Sequence, residues 1–198
     1  MRAGADPTKA RDVREGGPKR ILVYGVTGSG KTTLARRIGE VSGLEWHSVD
    51  DEIGWLPGWV ERPKEEQRDL ATRIASSEEW VLDTAYGHWR DVVVPRAELI
   101  VALDYPRFVS LFRLLRRTTR RLVTREVACN GNKESLRQAL SSESIVAWHF
   151  RSFSRKRERI KDWEDDPQAP PVLRLHSPRM TEAWLAAFRA SHVGSSSP

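Results

Sequence analysis

The stretch that most constrains this chain is the passage from Arg20-Ile-Leu-Val-Tyr24 into Gly25-Val-Thr-Gly-Ser-Gly-Lys31-Thr32. A short apolar run reads as a buried strand, and a glycine-rich turn follows at once. Lys31 to Ser42 then carries Leu34, Ile38 and Val41 at helical spacing, with Gly43 placed to stop the helix. The segment from Gly25 to Thr32 satisfies the pattern G-x-x-x-x-G-K-[ST] without a mismatch. By composition alone, a chance match somewhere in a chain of this length is on the order of 1%. The position between strand and helix lowers that further, because the chemistry requires that position. Gly25, Gly28 and Gly30 let the backbone curl so that its amides converge on one concavity, with Thr27 and Ser29 in the loop and Thr33 just beyond it. The helix N-terminus adds a positive dipole end. Lys31 supplies a mobile cation for β- and γ-phosphates, and the Thr32 hydroxyl is a magnesium ligand. The expected ligands are therefore ATP, or a close relative, and Mg2+.

Further short apolar runs lie at Trp80-Val-Leu82, Leu99 to Leu103 and Val172 to Leu175, with a weaker one at Glu45 to Val49. Helical stretches separate them, so the expectation is an α/β fold: a parallel sheet covered on both faces. Pro63 suits the first turn of a helix to about Ser77, Trp55 to Trp59 reads as a loop, and Ser142 can cap a long helix through Trp148 and Ile160. A last helix is expected from about Thr181 to Ala190. Residues 1–19 and 191–198 read as disordered tails around one domain at 20–190.

Magnesium on such a loop needs an acidic partner, and two strands end in aspartate. Asp104 stands two residues before Pro106 and has an alternative role as a helix cap. Asp83 has no such local explanation and is the expected metal residue. Charge bears on the partners. The chain carries a formal net charge of +6, but Arg107, Arg113, Arg116, Arg117, Arg120, Arg121 and Arg125 fall in one stretch without an acid. That concentration argues for a local anion site over a broad nucleic-acid face, although a basic helix docking an acidic partner is the bland alternative. The single Cys129 excludes an internal disulfide framework, the turn at 129–132 starts there, and no His/Cys spacing suits zinc. No apolar run is long enough to span a bilayer and no leader-like stretch opens the chain, which points to the cytoplasm.

With these features placed, the chain resembles P-loop kinases of the nucleoside-monophosphate-kinase type, and within them the adenylate-kinase-like group labelled DNA topology modulation protein. The resemblance runs from about Lys19 to Ala190. It is carried by Gly25 to Thr33, Asp51 followed by Pro57-Gly58-Trp59, Trp80 to Asp83 with Tyr86, Pro95-Arg96-Ala97, Leu103 to Pro106, Arg113 to Arg117, Asn130-Gly131-Asn132 and Leu175 to Arg179. It implies a P-loop NTPase three-layer sandwich, a five-stranded parallel sheet in the order 2-3-1-4-5, and a helical lid at about 117–145. It also implies transfer of the γ-phosphoryl group of Mg-ATP to a small acceptor, with a nucleotide-binding regulatory or nucleic-acid-associated protein as the alternative. Counted from Pro106, the adenine-stacking and phosphate-contacting arginines of that group fall on Arg113 and Arg117, with Arg120 on the same helical face; guanidinium groups suit both tasks. Ser177, Pro178 and Arg179 match the loop that wraps the adenine edge. The chain departs from the group after its third strand: Asp83-Thr-Ala-Tyr86-Gly-His-Trp-Arg90 lacks the usual Gly and Asn, and lacks the arginine of adenylate kinases proper. AMP specificity is thereby unsupported. Asp51, Trp59, Tyr86 and Arg90 are the candidates to shape an acceptor pocket, with Asp51 orienting or deprotonating an acceptor hydroxyl.

Overall fold

The computed structural model describes residues 17–124 and 145–193. Of the disordered tails expected at 1–19 and 191–198, residues 1–16 and 194–198 lie outside the described residues, as do Arg125, the turn at 129–132, the Ser142 cap and most of the expected lid. The rest is ordered, with Lys19 N–H donating to Glu98 at 2.7 Å and Ser191 to Val193 continuing the last helix.

The sheet is built on β1 (Arg20–Gly25), whose residues beyond Arg20 are all buried. It pairs in parallel with β5 (Trp80–Leu82) on one side and β6 (Leu99–Leu103) on the other, with Leu22 opposite both Leu82 and Ile100. The outer neighbours are β2 (Trp46–His47) against β5 and β7 (Val172–Leu175) against β6, both parallel. The spatial order β2-β5-β1-β6-β7 is the expected 2-3-1-4-5 once a separate antiparallel hairpin, β3 (Trp55–Leu56) and β4 (Val60–Glu61), is left out of the count. That hairpin stands where a loop was expected. Arg62 N–H closes on Gly54 O at 2.9 Å, and Trp55 and Trp59 meet edge to face at 5.8 Å between centroids.

Side chains alternate across a sheet, so β1 feeds two cores. Leu22 and Tyr24 join Trp80, Trp89, Ile160 and Trp163 on one face, while Ile21 and Val23 join Leu34, Ile38, Leu185 and Phe188 on the other. This two-sided burial explains why the strands read as unbroken apolar runs. The helices that cover the sheet are α1 (Lys31–Ser42), α2 (Lys64–Ala75), the short α3 (Arg90–Val93), α4 (Arg107–Thr124), α5 (Ile145–Asp165) and α6 (Pro178–Val193). Among the described residues, no helix is long and apolar enough to cross a membrane.

Two local expectations are corrected. Helix α6 starts at Pro178, not near Thr181, because Ser177 caps it: the Met180 N–H donates to Ser177 Oγ at 3.2 Å and proline occupies the first helical position. Asp104 does not serve as a cap for α4. Its side chain is 1% exposed and faces the opposite way, meeting Arg157 of α5 at 2.8 Å and Arg174 of β7 at 2.7 Å. A buried carboxylate needs such charged partners more than a helix end needs a cap.

Candidate active site

The carboxyl ends of β1, β5 and β6 bring Gly25, Asp83 and Asp104 to one edge of the sheet, the position at which open α/β sheets bind ligands. At the end of β1 the chain curls back on the carbonyl of Val26. That oxygen accepts from Ser29 N–H at 3.2 Å, from Ser29 Oγ at 2.7 Å and from Lys31 Nζ at 3.2 Å. Gly28 sits at φ +83, and a Cβ there would lie 2.3 Å from the Ser110 carbonyl of α4. The loop therefore nests against α4 only as glycine. Helix α1 begins at Lys31 with no side-chain cap and no acid in its first turn, so its leading amides and dipole stay available to an anion.

Lys31 is held below the usual lysine range by burial, an effect opposed by the carboxylates of Asp83 and Asp50 and reinforced by Arg117. Asp83 stands one residue beyond β5. Its Oδ2 accepts from Thr32 Oγ1 at 2.5 Å and its Oδ1 from Val49 N–H at 2.9 Å. Burial raises its pKa, as does Asp50, while the bonds from Thr32 and Val49 and the charge of Lys31 pull it down. A hydroxyl and a carboxylate in contact form a hard oxygen pair, and a divalent cation would relieve the desolvated charge on Asp83. That donor set fits magnesium, which takes few protein ligands beside phosphates and water. Among the described residues no cluster of three or more His, Cys, Asp or Glu side chains could hold a metal.

On the far side of the loop, a cavity of about 640 Å³ opens between the loop, α4 and the start of α6. Gly28, Ser29, Gly30 and Thr33 form one wall. Arg113, Arg116, Arg117, Arg120 and Arg121 form another, and Tyr105, Pro178 and the ion-paired Arg37 and Glu182 are among the remaining lining residues. Arg113 donates to the Ser29 carbonyl at 3.2 Å and lies 5.5 Å over the Tyr105 ring, whose hydroxyl is fixed by Thr181 at 2.6 Å. Thr27 lies beside this wall without lining it. Of the expected adenine loop, Pro178 alone lines the cavity; Ser177 is turned to its capping bond and Arg179 is exposed.

The expected acceptor residues divide. Tyr86 hydrogen-bonds to Asp50, and Arg90 Nη1 donates to the Tyr24 hydroxyl at 3.2 Å. Asp51 is turned instead to Ser48 Oγ at 2.5 Å, and Trp59 belongs to the hairpin. Two residues absent from the sequence reading stand here: Asp50, within electrostatic reach of Lys31 and Asp83, and Lys156 of α5. Asp50 was within sight as the neighbour of Asp51. Residues 50–54 form a π-helical turn, so spacing arguments could not choose between the two. Lys156 sits in Arg155-Lys156-Arg157, a run that reads as a solvated face.

No family model matches the chain, and no curated protein does. Solved structures do. The chain is similar to shikimate kinase from Acinetobacter baumannii, solved in complex with shikimate, at 17% identity and a TM-score of 0.52, over 96% of this chain and 100% of that one. It is also similar to shikimate kinase from Bacteroides thetaiotaomicron, at 17% identity and a TM-score of 0.50 over 88% and 98% of the two chains. A third is shikimate kinase from Aquifex aeolicus, at 16% identity and a TM-score of 0.50 over 88% and 99%. At that identity the likeness establishes architecture: the chain has the P-loop NTPase fold that these kinases share.

Proposed function

We propose that the protein is a P-loop phosphotransferase of the small-molecule or nucleotide-kinase type, moving the γ-phosphoryl group of Mg-ATP to the hydroxyl of a small acceptor. One observation carries this reading: a glycine loop, a helix N-terminus and an arginine wall line one cavity, while across the loop Thr32 donates to Asp83, a carboxylate that feels the charges of Lys31 and Asp50. Thr32 and Asp83 would serve any protein that binds a Mg-nucleotide; the second carboxylate nearby, Asp50 held by Tyr86, is what suits transfer to a hydroxyl. In this reading the loop amides and Lys31 hold the β- and γ-phosphates. Thr32 and Asp83 would hold magnesium, whose charge would offset that of the phosphates. Arg113 stacks on the base from its seat over Tyr105, and Arg117 and Arg120 face the charge that develops during transfer. The bond from the γ-phosphorus to the β–γ bridging oxygen breaks and a bond to the acceptor oxygen forms. The acceptor proton passes to Asp50, which Tyr86 holds in place, and ADP leaves. Asp50 thus takes the part first expected of Asp51.

The reading finds support in the resemblance to adenylate-kinase-like proteins and in the shared fold of the shikimate kinases. It is tested by incubating the protein with Mg-ATP and a panel of nucleotides, nucleosides and small alcohols, and following phosphorus NMR. A new phosphoester resonance, absent with Lys31→Ala, is expected. A panel that yields no product, combined with salt-dependent nucleic-acid binding lost on replacing Arg116, Arg120 and Arg121, would favour the regulatory alternative.

A further inference from the structure

Around the ring of Tyr24 stand two basic side chains, Arg90 and Lys156, with which no described acid is in contact. Tyr24, near the carboxyl end of β1, is 2% exposed. Arg90 reaches its hydroxyl at 3.2 Å, and Lys156 Nζ lies 4.3 Å from its ring centroid. Arg90 also sits 5.9 Å over Trp163, which packs edge to face on Tyr24 at 4.7 Å. Among the described residues, neither Arg90 nor Lys156 forms an ion pair. The other charges in range are Lys31, Asp50 and Asp83 for Lys156, and Arg155 and Arg159 for Tyr24. Asp83 is committed to Thr32 and Val49, and Asp50 to Tyr86. Burial, reinforced by Lys31 and Arg90, lowers the pKa of Lys156 to about 7. Positive charge is thus crowded into a half-buried place, and cation–π contact with one tyrosine offsets only a part of that cost.

The crowding is built in. The ion pair between Asp104 and Arg157 pins α5 at the residue next to Lys156, and Arg174 braces the same carboxylate. The lysine is therefore delivered to this spot by an ion pair on the buried Asp104 carboxylate, not left to wander on a surface helix.

We propose that the phosphoryl acceptor is itself a small anion, an alcohol bearing a carboxylate or a phosphate, whose anionic group is held between Arg90 and Lys156 with its hydroxyl towards Asp50. The inference rests on the phosphotransfer reading and deepens it. A neutral alcohol in this place would give Arg90 and Lys156 no anionic group to contact. Sites built for a polar group reject analogues lacking that group by orders of magnitude.

The test separates the two readings. The full chain is loaded with the magnesium complex of a non-hydrolysable ATP analogue, so that the phosphate loop is filled. It is then titrated calorimetrically with inorganic phosphate and, separately, with glycolate, in wild type and in Arg90→Gln, Lys156→Met and Lys156→Arg. The expected result is binding of at least one anion beyond the nucleotide, weakened tenfold or more in R90Q and K156M and largely kept in K156R. Analogue affinity should stay within about threefold in all variants. Which anion binds tells a carboxylate acceptor from a phosphate one. Absence of a second anion site, or anion binding indifferent to both R90Q and K156M, overturns the inference while leaving phosphotransfer standing. Failure of the analogue itself to bind sinks phosphotransfer; anion affinity still lost in both variants would then leave the anion site intact.

Discussion

Replacing Gly28 with alanine places a methyl group where the structure leaves no room. The new Cβ would lie 2.3 Å from the Ser110 carbonyl oxygen and 3.0 Å from Leu114 Cβ, at a backbone φ of +83. Two costs add. The left-handed conformation costs a non-glycine residue about 1–2 kcal/mol, and an overlap of about an ångström with packed backbone costs about 1–3 kcal/mol more. Gly43 separates them, because its φ of +76 imposes the first cost while open space within 4 Å removes the second. Urea melts should therefore show Gly28→Ala losing about 2–5 kcal/mol and Gly43→Ala about 1–2 kcal/mol. The overlap is relieved by α4 moving off the loop, and α4 carries the arginine wall. G28A should accordingly weaken Mg-ATP binding about tenfold or more, whereas G43A should leave it unchanged. Equal destabilisation by the two substitutions, with equal nucleotide affinity, would refute the claim that loop and helix are seated on each other through this glycine.

Three further outcomes follow from named contacts. Arg113→Ala should weaken Mg-ATP by about 1 kcal/mol, roughly fivefold, and change Mg-tripolyphosphate binding by less than twofold, because the side chain is assigned to the base; calorimetry with both ligands checks this. Asp104→Ala should cost about 2 kcal/mol in urea melts, since it leaves Arg174 with Glu164 as its one remaining carboxylate, while Arg157→Ala should cost about 1 kcal/mol because that guanidinium is half exposed. Lys156, lowered in the fold to about 7 from an ordinary 10.5, binds fewer protons than in the unfolded chain between those values. Its contribution to stability is therefore present above pH 10.5 and lost as pH falls towards 7. Wild-type stability should rise with pH across that window relative to Lys156→Met, measured by urea melts from pH 7 to 10.

What the sequence disclosed and what it withheld divide along a physical line. The glycine loop, the strand ending in Asp83 and the arginine run are local patterns, and each appears where its spacing places it. Alternation of strands and helices announced a parallel sheet, and the order of its strands came from the family resemblance alone. Asp104 was misread because its partners, Arg157 and Arg174, lie far along the chain, and no local rule announces a buried ion pair. Lys156 was illegible for the same reason: which member of a charged helical run faces inward is decided by the ion pair on Asp104, not by the run. The different partners of Asp50 and Asp51, Tyr86 and Ser48, were illegible because a five-residue π-helical turn breaks the periodicity by which neighbours are sorted into faces. The Trp55–Trp59 stretch folds as a hairpin because Pro57-Gly58 turns the chain, Gly58 at φ +82, and the two indoles then meet.

The account depends first on the curled amides of the glycine loop together with Lys31. The direct measurement is a calorimetric titration of Mg-ATP into wild type and Lys31→Ala. Saturable binding in the micromolar range to wild type, weakened thirtyfold or more by the substitution, is the predicted result. Heat that is absent at millimolar nucleotide, or identical in the two proteins, would contradict it.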